Sequence, residues 1–410
     1  MSDNAHDSAA QGAMAIDTAV VLAAGEGERL RPLTENRPKP MLSAGTRPIL
    51  SYVFDALVDA GMTELHVVVG YERERVQNHF GSTYRDTELV YHEQSKQLGT
   101  GHAVLQARAA IDGDFVVVNG DELVSADTVQ SVVGTHAMGT VATLAVFEND
   151  HAGECGVVRL DGDRVVELTE DPTHTDYGLL NRGVYALGPS IFETLESTER
   201  VDGELRLTDA IARHVASGNS VRGVQTAGVW EGLTYPWHLL AVTTQVLRRG
   251  SVRLTERDPG VYVASSATVH PDATLRPPVA LSDDAVVEPG AVVGPNTAVG
   301  RNASVGSSAV VRGSLVEADA TVGANATLAD TVVAEGATVG PGATLLGGPS
   351  TVRIGTDVYE DCPLGVVVSD RAHVGGGVTI SPGTLVGPNA EIAPGSTVTT
   401  NVDTGTQVRN

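Results

Sequence analysis

From Val263 an apolar residue returns at every sixth position, through Val269, Leu275, Leu281, Val287, Val293, Val299, Val305 and Val311. The frame slips by one and resumes at Val316, Val322 and Leu328, then slips again and resumes at Val333, Val339 and Leu345. A last run is Val374, Ile380, Val386, Ile392 and Val398. Small residues stand two positions before many of these, and Gly, Pro or Asn follows. A chance origin for nine unbroken sixfold positions is implausible.

Such hexapeptide repeats resemble the left-handed parallel β-helix, a triangular solenoid in which each hexapeptide forms one face. The branched residue points inward and stacks on its neighbours in the next coil. Corners demand small or turn-competent residues, which explains why aromatics are scarce here. The solenoid is expected over residues 260–400, with an inserted loop at about 346–373. That stretch, with Gly347-Gly348-Pro349 and Tyr359-Glu360-Asp361-Cys362-Pro363, reads as an arm projecting from the solenoid. In related proteins β-helices of this kind pack as trimers, so a homotrimer through the β-helix is expected.

The N-terminal half has another texture. Ala19–Ala24 is an apolar run ending at glycine, as a buried parallel strand should. Residues 48–60 read as a helix with Gly61 as its stop. Strand 65–69, helix 73–80, strand 88–92, helix 102–111 and strand 115–118 follow, the last leading into Asn119-Gly120-Asp121. This alternation predicts an α/β, Rossmann-like domain over 18–250 with a mostly parallel sheet covered on both faces. Ligands then belong at the carboxyl ends of the strands. Shorter strands at 156–160, 164–168 and 183–187 and helices at 191–195 and 207–217 complete it, as the side that holds a second substrate.

Residues 1–17 are polar, with neither a basic nor an apolar leader region, and are expected to be a disordered tail. No run of about 18 apolar residues occurs, so a soluble cytoplasmic protein without membrane contact is expected. Cys155 and Cys362 stand far apart, outside any metal-ligand spacing. A net charge of −24 opposes contact with nucleic acid or anionic lipid. Lys39 and Lys96 are the only lysines; every other Lys/Arg position is arginine. That bias, with many Asp, Thr, Val and Ala, resembles proteins of extremely halophilic archaea, so the acidity reads as a solvated surface suited to high salt.

Against this background Arg29, Arg31, Arg37 and Lys39 cluster in Leu22-Ala23-Ala24-Gly25-Glu26-Gly27-Glu28-Arg29-Leu30-Arg31-Pro32-Leu33-Thr34 and Arg37-Pro38-Lys39-Pro40-Met41-Leu42. Glycines after a strand let backbone N–H groups approach phosphate oxygens, and cations neutralise them. A lone Gly-x-Gly is weak, but a polyphosphate repelled by the surface at large needs such a cationic island.

The whole block resembles the signature of sugar-1-phosphate nucleotidylyltransferases, and the β-helix after it resembles the archaeal GlmU-type members. The resemblance covers residues of about 18 to 400. It implies that Ala23, Ala24, Gly25 and Gly27 wrap the nucleotide phosphates, that Arg29 neutralises leaving pyrophosphate, and that Lys39 holds the α-phosphate region. The string Gln94-Ser95-Lys96-Gln97-Leu98-Gly99-Thr100-Gly101-His102-Ala103 resembles the base-recognition loop, with Gln94, Gly99 and Thr100 at the nucleotide. Thr100 as N-cap of a helix starting at His102 would account for part of it as well. Asp121, after Gly120 of the nucleotide site, resembles the family's Mg²⁺-binding aspartate, although Asn-Gly-Asp is also turn-prone. Gly156, Glu170 and Asn181 match the sugar side. The resemblance implies transfer of a nucleotidyl group, with UTP or dTTP favoured, to a sugar 1-phosphate.

Three departures stand out. Glu170-Asp171-Pro172 takes the place of the family's Glu-Lys-Pro. In Trp230-Glu231-Gly232, glycine stands where the family has its second metal-binding aspartate; Glu231 would reach in only through a local bulge, since strand side chains alternate faces. In the β-helix, Ala326-Thr327-Leu328-Ala329-Asp330 lacks the histidine base of the acetyltransferase halves, and His373 lies in a later coil. Two further readings stay open: a catalytically reduced regulatory or scaffolding homologue, and a bifunctional GlmU-type enzyme, although the missing histidine argues against acetyl transfer.

Overall fold

A computed structural model of the chain describes residues 16–148, 156–170, 179–227 and 230–409. Of the expected tail at 1–17 only Ile16 and Asp17 fall among them; Cys155 and Asp171 lie outside the described residues.

The N-terminal domain is built on strands β1 (Thr18–Ala23), β2 (Glu64–Val69), β3 (Thr83–Tyr84), β4 (Thr87–Glu93), β5 (Phe115–Asn119), β6 (Glu122–Val124), β7 (Ala142–Glu148), β8 (Val157–Asp161), β9 (Arg164–Thr169), β10 (Leu179–Leu187), β11 (Val221–Gln225) and β12 (Trp230–Gly232). Its helices are α1 (Ile49–Asp59), α2 (Arg73–Phe80), α3 (Thr100–Gln106), α4 (Ala126–Thr135), α5 (Ser190–Ser197), α6 (Leu207–Ala216) and α7 (Pro236–Arg249). Ten strands form one sheet in the order β8-β9-β11-β7-β10-β5-β1-β2-β4-β3. The central run β5-β1-β2-β4 is parallel, while β10 is antiparallel to both β5 and β7.

Both faces of this sheet are covered, which is why β1 reads as an unbroken apolar run. Val20 packs into the core with α3, α5 and α6, whereas Ala19, Val21 and Ala23 pack on the side of α1 and α4. Local chemistry moves some boundaries. Helix α3 begins at Thr100 with Gly99 as its cap, two residues before the expected start, and ends at Gln106; Arg108–Ala110 is a separate 3-10 turn. Thr100 therefore does not cap the helix; its hydroxyl accepts the Leu207 amide at 3.0 Å.

After Gly250, which closes α7 in the left-handed conformation, short strands stack into a parallel β-helix with three faces. Inward Leu281, Val299, Val316, Val333, Val368 and Val386 form one row of its core. The two one-residue slips fall at the same corner of successive coils, where Gly313 and Asp330 have positive φ and shorten the turn. The outward residues of the first face, among them Ala280, Ala298, Leu315, Val332 and Leu385, are buried against Leu240, Val246 and Leu247 of α7. Each large side chain buried there contributes about 1.5–3 kcal/mol to holding the domains together.

The inserted segment differs from the expected arm at 346–373. It is an antiparallel hairpin, Pro349–Ile354 with Asp357–Pro363, and it folds back onto the N-terminal domain. Val352 and Cys362 are buried in the same cluster as α7, and Tyr359 packs 4.8 Å from Tyr235 and 5.5 Å from Trp237. The solenoid resumes early: Val367–Val368 already pair with Val332–Val333.

Arg37 also crosses the domain boundary, into the carboxylates of Glu317 and Asp370. Burial pushes the Asp370 carboxyl up to about 6, against the opposing pull of Arg37 and with the help of Glu317 and Glu335; Arg371 opposes it too. A carboxyl raised in the folded state binds its proton more tightly there, so stability falls as pH rises from about 4 to about 6. The shift from 3.8 to about 6 corresponds to roughly 3 kcal/mol. Urea midpoints in molar KCl are expected to decline across that window and to lose this component in Asp370→Asn. A wild-type and variant profile that superimpose would refute the assignment.

Candidate active site

At the carboxyl ends of β1 and β5 lies a cavity of about 420 Å³. Its wall gathers Ala24, Gly25, Arg29, Lys39, Gln94, Gly99, Thr100, Asp121 and Glu170 from separate segments of the chain. Ala23 and Gly120 adjoin wall residues in sequence and Gly27 stands two residues from Gly25 and Arg29, but none of the three lines the cavity. Three basic groups (Arg29, Lys39, Arg206) face three acidic ones (Asp121, Glu170, Glu204), so the cavity is balanced within a strongly negative molecule.

After β1 the chain turns through Gly27, whose carbonyl accepts the Thr34 hydroxyl at 2.7 Å. The 3-10 turn Glu28–Leu30 buries Leu30, and the Arg29 guanidinium lies over the Tyr235 ring at 5.6 Å. A second 3-10 turn, Lys39–Met41, presents Lys39, whose ammonium pairs with the Asp121 carboxylate. Asp121 is delivered by β5 through Gly120, whose amide donates to the Leu22 carbonyl at 2.8 Å. A Cβ there would stand 2.9 Å from that same oxygen, so only glycine permits this approach.

The second loop is tied to the first by Gln97, which donates to the Ala24 carbonyl at 2.9 Å. Gln94 is buried; its amide nitrogen lies 3.1 Å from the Gly99 carbonyl and 2.9 Å from His102 Nδ1. Burial, aided by Arg200, lowers the His102 pKa, which suits its Nδ1 as acceptor of the Gln94 amide N–H. Gly99 has φ of 93°, and a Cβ would stand 2.5 Å from the Leu205 carbonyl oxygen. Leu205 donates to the Leu98 carbonyl at 2.7 Å and accepts from Gly101 at 2.8 Å. This lacing carries Glu204 and Arg206 into the wall. Sequence reasoning missed both, because nothing local marks a residue positioned by backbone bonds to a loop about a hundred residues away; Gln97 and Asn119, also in the wall, sit inside the motifs read above but had no role expected of them.

Of the three residues expected on the sugar side, Glu170 lines the cavity and accepts the Thr208 hydroxyl at 2.8 Å. Asn181 and Gly156 are joined by a 2.7 Å backbone bond but do not line it. The Asn181 amide donates to the Tyr185 hydroxyl at 2.8 Å, and its buried Oδ1 has no hydrogen-bond partner among the described residues.

Two readings of the sequence are corrected. Arg37 is turned away from the cavity and buried in the β-helix interface, and Arg31 does not line the cavity, so the cationic island contracts to Arg29 and Lys39, with Arg206 added. Glu231 does not enter through a bulge: β12 pairs regularly with β6, Glu231 opposite Leu123 and Gly232 opposite Glu122. Burial raises the Glu231 pKa, opposed by Arg182, the charge it faces. Among the described residues no three His, Cys, Asp or Glu side chains converge to hold a metal. Asp121, expected to bind Mg²⁺, stands in the cavity wall with Glu170 and Glu204, and a divalent ion is commonly held by one or two carboxylates plus substrate phosphates, which this donor set fits.

Two family models match the chain. A family model described as nucleotidyl transferase matches residues 18–247, and one described as the GMPPB C-terminal domain matches 275–360. The bifunctional protein GlmU of Methanococcus aeolicus is 37% identical over 234 residues, 56% of this chain and 54% of that protein. The chain therefore spans about half the length of that relative. The UTP–glucose-1-phosphate uridylyltransferase AglF of Haloferax volcanii is 36% identical over 222 residues, 53% of this chain and 91% of that protein. A solved UDP-glucose pyrophosphorylase in complex with UDP-glucose shares the fold with a TM-score of 0.52 at 22% identity, over 57% of this chain and 99% of that one.

Proposed function

The chain belongs to the nucleotidyl transferase family, and on that premise we propose that it transfers a nucleotidyl group from UTP or dTTP to a sugar 1-phosphate, releasing pyrophosphate. The observation that carries this is one cavity lined by Arg29, Lys39, Asp121, Gln94 and Glu170. A phosphate oxygen of the sugar 1-phosphate attacks the α-phosphorus in line. The bond from that phosphorus to the β-phosphate bridging oxygen breaks, and its electrons leave with pyrophosphate. The nucleophile is already anionic, so no protein nucleophile is required; catalysis rests on positioning and charge neutralisation.

Arg29 and Lys39 neutralise the triphosphate and the departing pyrophosphate. The Gln94 carbonyl oxygen accepts the imide N–H that uracil and thymine share. Glu170 takes sugar hydroxyls, with Asn181 and Gly156 supporting that side. A divalent ion, Mg²⁺ in this reading, would be held by Asp121 and would supply further charge neutralisation at the phosphates. No helix among the described residues is long and apolar enough to cross a membrane. We place the enzyme in the cytoplasm, where its phosphorylated substrates are, as a homotrimer through the β-helix working at high salt.

The test is pyrophosphate release in molar KCl with Mg²⁺, a panel of sugar 1-phosphates, and UTP, dTTP, ATP and GTP in turn. Turnover confined to UTP or dTTP is expected. Gly232, which offers no carboxylate beside Asp121, favours one second reading, a reduced regulatory homologue. Nucleotide binding without turnover on any sugar phosphate would establish that reading instead.

A further inference from the structure

The segment that carries Lys39 is anchored in the other domain. Arg37, two residues before it, is 3% exposed, and its guanidinium donates to Glu317 and, at 2.9 Å, to Asp370. These carboxylates belong to one corner of successive coils. Leu315–Val316, Val332–Val333 and Val367–Val368 are in register; Glu317 follows the first directly, while Glu335 and Asp370 stand one residue further on, after Ala334 and Ser369. The Glu335 amide donates to Glu317 at 3.1 Å. Stacked carboxylates repel unless a cation stands among them, and the cation here comes from the catalytic loop rather than from the solenoid.

Two more contacts brace the same loop. Thr404, near the far end of the β-helix, donates its hydroxyl to Glu35 at 2.5 Å. Tyr359 of the inserted hairpin packs on Tyr235, the ring under Arg29. The loop from Arg29 to Lys39 is thus braced by the solenoid at Glu35 and Arg37 and, through Tyr235, by the inserted hairpin at Arg29.

Resting on the nucleotidyl-transfer reading above, we propose that Arg37 is a positioning residue and that the β-helix, through Glu317 and Asp370, sets where Lys39 stands in the cavity. A buried ion pair contributes little net stability relative to a well-packed apolar contact. What a guanidinium forked between two fixed carboxylates supplies is direction. Misplacing a catalytic charge by about 1 Å costs on the order of a hundredfold in rate, so a rigid anchor close to Lys39 acts on turnover more than on folding.

The experiment uses the full chain in four forms: wild type, Arg37→Lys, Arg37→Met, and the triple variant Arg37→Met/Glu317→Gln/Asp370→Asn. The triple variant removes the cluster without leaving a buried charge unpaired. Its kcat for pyrophosphate release is expected to fall by about tenfold or more, with KM for the nucleotide within about threefold of wild type. Arg37→Lys, which keeps the charge but loses the fork, recovers part of that loss. A triple variant with kcat within about twofold of wild type, whatever its thermal midpoint, overturns the proposal, because the cluster is then only an adhesive between domains. Should the triple variant fail to fold, Asp370→Asn alone gives the same reading: a kcat loss of several-fold supports it and an unchanged kcat overturns it. Wild-type protein inactive on every substrate would instead remove the nucleotidyl-transfer reading, and this inference with it.

Discussion

Replacing Lys39 with methionine is expected to lower kcat/KM for nucleotidyl transfer by about a hundred- to a thousandfold. The ammonium is held in place by Asp121 before any substrate arrives, so it requires no reorganisation when charge shifts toward the departing pyrophosphate. With Arg29 and Arg206 it supplies the positive side of a cavity whose acidic groups otherwise repel a triphosphate. Its side chain is 21% exposed, and a partly buried charge is screened less than a surface one, so the loss persists in molar salt where surface pairs fade. Methionine keeps the length and apolar stem, so the fold is retained. Initial rates over a nucleotide series, with affinity measured separately by calorimetry, separate lost turnover from lost binding. A rate within about tenfold of wild type would remove Lys39 from the reacting charges.

How much of this was legible in sequence depended on whether the controlling contact was local. The solenoid was, since Val263 to Val311 repeat the contact each residue makes with its neighbour one coil on. The inserted hairpin was legible as an interruption, but its return at Val367 was not, because Gly365-Val366-Val367 resumes the corner before the sixfold rhythm is restored. The cavity wall was legible where motif residues sit at strand ends, as with Gly25, Gln94 and Asp121. Arg37 misled for a physical reason. Its neighbours in the chain are cationic, which suggested phosphate, whereas its partners Glu317 and Asp370 lie 280 and 333 residues away. Glu231 was ambiguous until the regular pairing of β12 with β6 showed that no bulge turns it inward.

In the proposed mechanism Asp121 is the position on which metal dependence rests. Gly232 lies opposite Glu122, and the Leu233 amide donates to the Asp121 carbonyl at 3.2 Å, so the strand that could bring a second carboxylate passes beside the site without one. Glu122 is engaged by the Asn119 amide at 2.8 Å, and Glu231 faces Arg182. With Asp121 as the proposed ligand, Gly232 offers no carboxylate to take over the ion when Asp121 is lost. Asp121→Asn is therefore expected to lower kcat by about a thousandfold or more at millimolar Mg²⁺. It should also remove the Mg²⁺ dependence of nucleotide affinity seen by calorimetry, because the asparagine carbonyl keeps the shape but not the charge. The variant frees Lys39 from its partner, so metal-free nucleotide affinity should rise rather than fall. Nucleotide affinity that still strengthens with Mg²⁺ in Asp121→Asn as it does in wild type would show that a different group holds the ion.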